Sequence, residues 1–331
     1  MQPMTDALSE RSPKQRLALI DVARGTALLA MAIYHFTWDL EFFGYVSPGL
    51  TTEGGWKLFA RLIAGSFLFL VGISLVLGHS NGIRWRSFGK RLLMIAAAAL
   101  AITIATRFAT PDRYIFFGIL HCIAASSLLG LAFLRLPPIV TAIAGLAAML
   151  APYYLASGFF SQNWLLWLGL SSEPVRSNDY VPILPWFGPV LFGIAAARAG
   201  QAFGLFAWIA SIDRRQIAVE KPLAFAGRHS LAVYLIHQPV LIGLVYLASI
   251  AIPAPAADPA ANFSASCNSS CASENPADFC NRFCECTLGE LRNAGLLETL
   301  LTSEADVGLT PGVTEIVNAC TASVLEGNRA E

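Results

Sequence analysis

The sequence predicts an all-α fold: a polytopic integral membrane helical bundle of about seven transmembrane helices, followed by a small Cys-rich helical C-terminal tail. Three observations point there. Only 13% of the 331 residues are charged and 55% are hydrophobic, with a mean hydropathy of +0.57; soluble domains carry about 25% charged residues. The charge falls in short breaks between long apolar runs, the pattern of a chain that crosses a bilayer repeatedly. Finally, of the 7 cysteines, all but Cys122 lie beyond residue 253.

Residues 1–16 are polar and lack the apolar middle of a cleaved signal peptide. They are expected to be a cytoplasmic N-terminal segment, with the first apolar run retained as a membrane helix. Seven spans follow, at about 25–43 (entered through Leu17–Arg24), 57–78, 92–109, 114–134, 137–157, 182–200 and 230–252. Each has about the length that crosses a ~30 Å hydrocarbon core. Lipid offers the backbone no partners, so each must close into a helix. Residues 17–252 therefore form the membrane domain. Arg11, Lys14 and Arg16, then Arg84, Arg86, Lys90 and Arg91, then Arg135, then Arg198, Arg214, Arg215, Lys221 and Arg228 fall on one side if the spans number seven. The positive-inside rule makes that side cytoplasmic and leaves the tail, 253–331, outside.

The tail opens with a linker-like PAPAADPAANFSAS and then turns acidic. Cys267, Cys271, Cys280 and Cys284 read C-x3-C twice, with Cys286 and Cys320 beyond. Residues i and i+4 share a helix face, so two such pairs can clamp a small antiparallel hairpin. An even count outside the membrane favours disulfides; four thiolates holding zinc is the alternative. No other metal site is expected, and Cys122 reads as a small buried packing residue. Lys+Arg and Asp+Glu balance at 22 each. With no basic–aromatic patch, nothing suggests a nucleic acid. No glycine-rich phosphate loop, H-E-x-x-H or G-x-S-x-G occurs. Gly65, Gly72, Gly188 and Gly193 read as close helix-packing positions. Trp56, Trp164, Trp167 and Trp186 read as interfacial anchors.

Ionisable groups within spans cost at least ~2.5 kcal/mol each at mid-depth, which makes them functional candidates. Span one holds Asp21, Arg24, His35 and Asp39. Asp21 and Arg24, at i,i+3, can pair. Arg24 and His35, eleven apart, share a face about 16 Å apart along the axis. His35 and Asp39, at i,i+4, can touch. A carboxylate beside an imidazole fixes its tautomer and supports a base or nucleophile. The plainer reading has Asp39 at the outer interface and His35 bonded to a neighbouring helix. In the last span Ser230, Tyr234 and His237 lie on one face. Arg228 and His229 at its mouth suit a phosphate-bearing ligand. His121, in span four, reads equally as a candidate and as a satisfied core histidine. His79 reads as solvated.

The runs IDVARGTALLAMAIYHF, FLFLVGISL, FFGILHCIA, PILPWFGPVLFGIAAA and GRHSLAVYLIHQP occur in this order over about 16–250. In them the chain resembles bacterial members of the heparan-alpha-glucosaminide N-acetyltransferase catalytic-domain family. It is also similar, more broadly, to membrane acyltransferases that modify bacterial surface sugars. These share R-x10-H (Arg24, His35) and a late S-x-x-x-Y-L-x-H-x-P (Ser230, Tyr234, Leu235, His237, Pro239). The resemblance implies an acyltransferase of the bacterial inner membrane. Acetyl-CoA or another acyl-CoA would be a donor substrate rather than a tightly bound cofactor, and a saccharide amine or hydroxyl the acceptor. It implies that Arg24, with Arg228 as a second candidate, meets the CoA phosphates. His35 would activate the acceptor or carry the acyl group, and Asp39 would orient His35. The heparan-modifying relatives place a histidine in the loop after span one; residues 40–66 here contain none. A transporter, and a membrane anchor for the cysteine tail, are the rival readings. Oligomeric state is left open.

Overall fold

The structure, a computed structural model, describes residues 18–80, 82–211, 220–255, 258–272, 275–302 and 311–327. Residues 1–16 and the basic pair Arg214 and Arg215 lie outside them. The apolar runs close into helices α1 (Ala18–Phe42), α2 (Gly54–His79), α3 (Trp85–Ala109), α4 (Ile119–Gly130), α5 (Pro138–Leu155) and α6 (Ile183–Ala202). Two short helices, α7 (Leu205–Ser211) and α8 (Glu220–Arg228), lead into α9 (Ser230–Ala251). The tail forms α10 (Pro259–Cys271), α11 (Ala277–Asn293), α12 (Leu297–Thr302) and α13 (Pro311–Gly327). Among the described residues the one β feature is an isolated bridge, Ser157 to Ser171.

Among the described residues six helices, α1, α2, α3, α5, α6 and α9, are long and apolar enough to cross a membrane. Their outward faces carry large apolar side chains in bands: Leu93, Leu100 and Ile104 on α3; Ile139, Ile143 and Leu146 on α5; Leu244, Leu247 and Ile250 on α9. Bands of this extent are stable against lipid tails rather than water.

The span expected fourth, over 114–134, is built differently. Its helix starts at Ile119, and α4 has 12 residues, about 18 Å of rise. Residues 114–118 are irregular instead, extended at Tyr114 and Gly118 with a bend at Phe116 and Phe117, and their backbone is satisfied from outside. Thr106 Oγ1 accepts from Ile115 N–H at 3.0 Å, and Thr103 Oγ1 donates to Ile115 O at 2.7 Å. Val181 N–H donates to Phe117 O at 3.1 Å, and Ser177 Oγ to Tyr114 O at 3.1 Å. These bonds replace the helical ones, the condition under which irregular backbone is tolerated near a membrane core.

The chain divides into two compact units, one of residues 1–30 and 61–236, the other of 31–60 and 237–331. The first is built on α2, α4 and α6. Leu68, Val71, Leu75, Cys122, Phe187, Val190, Leu191 and Ile194 form its core, with Cys122 fully buried. Glycines let α2 and α6 touch at backbone distance: a Cβ on Gly72 would run into the Val190 carbonyl, and one on Gly193 into the Phe69 carbonyl. Gly188 faces Gly145 of α5 in the same way. Gly65, expected to do likewise, has open space beside it. Trp186 also differs from its expected anchoring role, because it packs against this core.

In the second unit the tail helices enclose Ala260, Leu291, Leu297 and Val313. Disulfides Cys267–Cys284 and Cys271–Cys280 clamp α10 antiparallel to α11, as the two C-x3-C pairs led one to expect. Cys286–Cys320 fastens α13. All six tail cysteines are paired, so the four-thiolate zinc alternative is not adopted.

Candidate functional site

In the second unit, α1 and α9 bring two imidazoles together. The rings of His35 and His237 meet edge to face with centroids 5.0 Å apart. Tyr34 borders His35 at 5.7 Å. Asp39, one turn along, is fully buried. No hydrogen bond or ion pair joins it to His35, which corrects the expected i,i+4 contact. Asp39 Oδ1 instead accepts from Gln238 Nε2 at 2.7 Å, a partner 199 residues away. A neutral amide beside the carboxylate gives a bond without a second charge, and it captures the side chain that the imidazole was expected to hold. Asp39 Oδ2 and Gln238 Oε1 are buried and accept no hydrogen bond among the described residues. Orphaned buried acceptors cost roughly 1–3 kcal/mol each. Two of them beside an imidazole pair make a setting short of donors.

The loop after α1 is held by Glu41, whose carboxylate accepts from Gly49 N–H at 2.6 Å, Thr51 N–H at 2.9 Å and Thr51 Oγ1 at 2.7 Å. Tyr34 Oη donates to Thr51 O at 3.2 Å. Sequence reading missed Gln238 and Glu41. The signal for the former was its place beside His237 in the HQP run.

In the first unit, Asp21, Arg24 and Arg228 converge. Arg24 Nη1 lies 3.3 Å from Asp21 Oδ1, and Arg228 Nε 3.6 Å from Asp21 Oδ2. Arg24 Nη2 also donates to Ser74 Oγ. The approach rests on glycine: a Cβ on Gly25 would strike the Leu223 carbonyl, and one on Gly227 the Asp21 carbonyl. Asp21 is buried. Its single charge faces two guanidiniums, so the cluster keeps a net positive charge, and the Arg228 side chain is 47% exposed.

His121 resolves toward its structural reading. Gly118 N–H donates to its Nδ1 at 3.2 Å, so Nδ1 is the acceptor. Nε2 then carries the proton, toward Thr103 Oγ1 at 3.2 Å. Both nitrogens are occupied by the fold. Tyr234 packs into the first unit's apolar clusters. Ser230, at the start of α9, is half-buried, and no side-chain hydrogen bond joins it to another described residue. Asp179, not anticipated, caps α4: its Oδ2 accepts from Ile119 N–H at 2.9 Å. Burial pushes its carboxyl up to about 6, against the opposing pull of that bond.

His79 is not solvated as expected. It ends α2, half-buried, with Nδ1 2.8 Å from Leu75 O and its ring against Phe88. It lines a cavity of about 1010 Å³ together with Trp85, Arg135, Arg198 and Gln201.

No curated protein matches the chain significantly, and no solved structure does. A family model described as heparan-alpha-glucosaminide N-acetyltransferase, catalytic, matches residues 16–239. That is more than half of the sequence, and the chain belongs to the heparan-alpha-glucosaminide N-acetyltransferase catalytic-domain family of membrane acetyltransferases.

Proposed function

We propose that the protein moves an acetyl or other acyl group from cytoplasmic acyl-CoA to an amine or hydroxyl of an envelope or exported saccharide, with His35 at the reacting centre. The observation that carries this is the His35–His237 pair beside the buried Asp39, in a chain of an acetyltransferase catalytic family. The membrane domain is 17–252, with 1–16 cytoplasmic and 253–331 extracytoplasmic, in a bacterial inner membrane.

With His35 as base, the acceptor nitrogen or oxygen attacks the thioester carbonyl carbon and the C–S bond breaks. The acceptor proton passes to His35 and from there to the departing CoA thiolate. With His35 as nucleophile, its nitrogen takes the acyl group first, CoA leaves as the thiol, and the acceptor then displaces the imidazole. Asp39 acts on the acceptor rather than on His35: its free Oδ2, with Gln238 Oε1, receives the acceptor's N–H or O–H groups. Arg24 and Arg228, which keep a net positive charge around Asp21, draw the CoA phosphates.

Turnover of acetyl-labelled acetyl-CoA by purified protein, with mixed sugar amines and alcohols as acceptors, tests the reading. The wild type turns over and His35→Ala loses at least about a hundredfold, the scale of a lost general base. Label retained on wild-type protein after rapid quenching, and absent from the variant, selects the covalent route. Equal turnover in both proteins removes His35. Absence of both turnover and acetyl-CoA binding removes the acyltransferase reading and favours transport.

A further inference from the structure

The cavity of about 1010 Å³ lies where α2 ends, α3 begins and α6 ends, with the turn after α4 as its fourth wall. Its volume is at the upper end of what small-molecule sites occupy. Its lining is chemically one-sided. Arg135, Arg198 and His79 face it, and among the described residues no Asp or Glu does. Among the described residues neither Arg135 nor Arg198 is ion-paired.

Two ordinary explanations account for part of this. Arg198 Nη1 donates to the Leu134 carbonyl that ends the turn after α4, as cations do at helix C-termini. Basic residues on this side also serve topology. A topology signal, however, works from any exposed position and needs no cavity. The carbonyl contact uses one N–H of a five-donor fork and leaves Arg135 without a role. Gln201 adds a neutral polar group, while Val76, Leu131 and Trp85 give the cavity an apolar side. Concentrated cations, an absent counter-charge and an apolar wall suit a phosphate ester attached to an aromatic or aliphatic body.

We infer that this cavity binds a phosphate-ester group, with Arg135 and Arg198 as its ligands and Trp85 against the ligand's apolar portion. The group has two possible sources. One is the 3′-phosphoadenosine end of the acyl donor, whose pyrophosphate is the part left to Arg24 and Arg228; the other is an anionic phospholipid headgroup. The inference rests on the acyltransferase reading only in naming the first source.

The test uses purified full-length protein and the variants Arg135→Ala, Arg198→Ala and Lys57→Ala, the last a control that does not line the cavity. Arg135→Ala removes an exposed side chain with no hydrogen-bond or ion-pair partner among the described residues, so it remains informative if Arg198→Ala fails to fold. Adenosine 3′,5′-bisphosphate is the nucleotide probe. Nanodiscs of phosphatidylcholine, with and without phosphatidylglycerol, are the lipid probe. Saturable nucleotide binding, weakened at least about tenfold by Arg135→Ala but not by Lys57→Ala, supports the first source. Thermal stabilisation by phosphatidylglycerol that Arg135→Ala abolishes supports the second. Wild-type protein that responds to neither probe, or responses that survive Arg135→Ala, overturn the inference. Nucleotide binding that persists in His35→Ala while turnover is lost separates this site from the chemistry at His35. Nucleotide binding without turnover in the wild type leaves the cavity standing and the acyltransferase reading refuted.

Discussion

Alanine at Gly72 should damage the first unit, while alanine at Gly65, two turns earlier on the same helix, should not. Both replacements gain the same helix propensity, up to ~1 kcal/mol, so the difference between them isolates packing. At Gly65 the new methyl meets nothing within 4 Å. At Gly72 it would land on the Val190 carbonyl and 2.8 Å from Ile194 N. Comfortable contacts of this kind lie near ~3.5 Å. Both obstructing atoms are backbone and cannot rotate aside, so α6 must retreat by more than about half an ångström. That loosens Leu68, Val71, Val190 and Ile194 together. Overpacking of this kind costs about 1–3 kcal/mol, and a gap of that size should separate the two variants. The assay is the monodisperse fraction by size exclusion after graded heating in one detergent. Gly72→Ala should denature several degrees below Gly65→Ala, with Gly65→Ala at or above wild type. Coincident midpoints would refute the close α2–α6 approach.

Other outcomes test other parts of the molecule. Asp179 is raised to about 6 in the fold, against about 3.9 in an unfolded chain. Its contribution to stability is therefore full below about pH 4 and is lost as pH rises through 6, on the order of 3 kcal/mol. A heat-stability profile across pH 4–7 should show this decline, and Asp179→Asn should flatten it; an unchanged slope contradicts the assignment. In the tail, Cys286–Cys320 spans 34 residues and Cys271–Cys280 spans 9. Loop-entropy arguments make the longer closure worth about 1 kcal/mol more. Protease cleavage of the tail on warming should come earlier in the Cys286→Ser/Cys320→Ser protein than in Cys271→Ser/Cys280→Ser, and the reverse order would count against a purely entropic role. A membrane-impermeant thiol reagent, applied to intact cells after reduction, should label the tail. Labelling only in broken cells would place the tail inside.

What was legible in the sequence follows the range of the forces involved. The six long helices could be read because each apolar run must satisfy its backbone internally, a constraint local to the run. The short start of α4 could not. Tyr114–Gly118 is as apolar as a helix, and Thr103, Thr106, Ser177 and Val181, brought in by folding, make irregular backbone acceptable there. The C-x3-C spacing revealed the tail hairpin because disulfide geometry and helix periodicity coincide. At the candidate site, His35, Asp39 and His237 stood out as polar groups in apolar helices. Their pairing did not: helix spacing offered Asp39 to His35, whereas Gln238 holds it. Arg135 and Arg198 read as orientation signals because charge on one side of a membrane is all that a linear pattern conveys. That they share a cavity is a property of three dimensions.

The bridge from Asp21 to both Arg24 and Arg228 bears on how the protein is made. The first helix leaves the ribosome about 200 residues before Arg228 exists, roughly 10–40 s at ~5–20 residues per second. Throughout that interval a carboxylate would sit at the edge of a hydrocarbon core with its final partner unsynthesised. Arg24, three positions away on the same helix, neutralises it from the outset and then shares it when α8 arrives. The i,i+3 pair thus acts as an interim counter-ion during synthesis, and the arrival of α8 closes the first unit with the charge already in place.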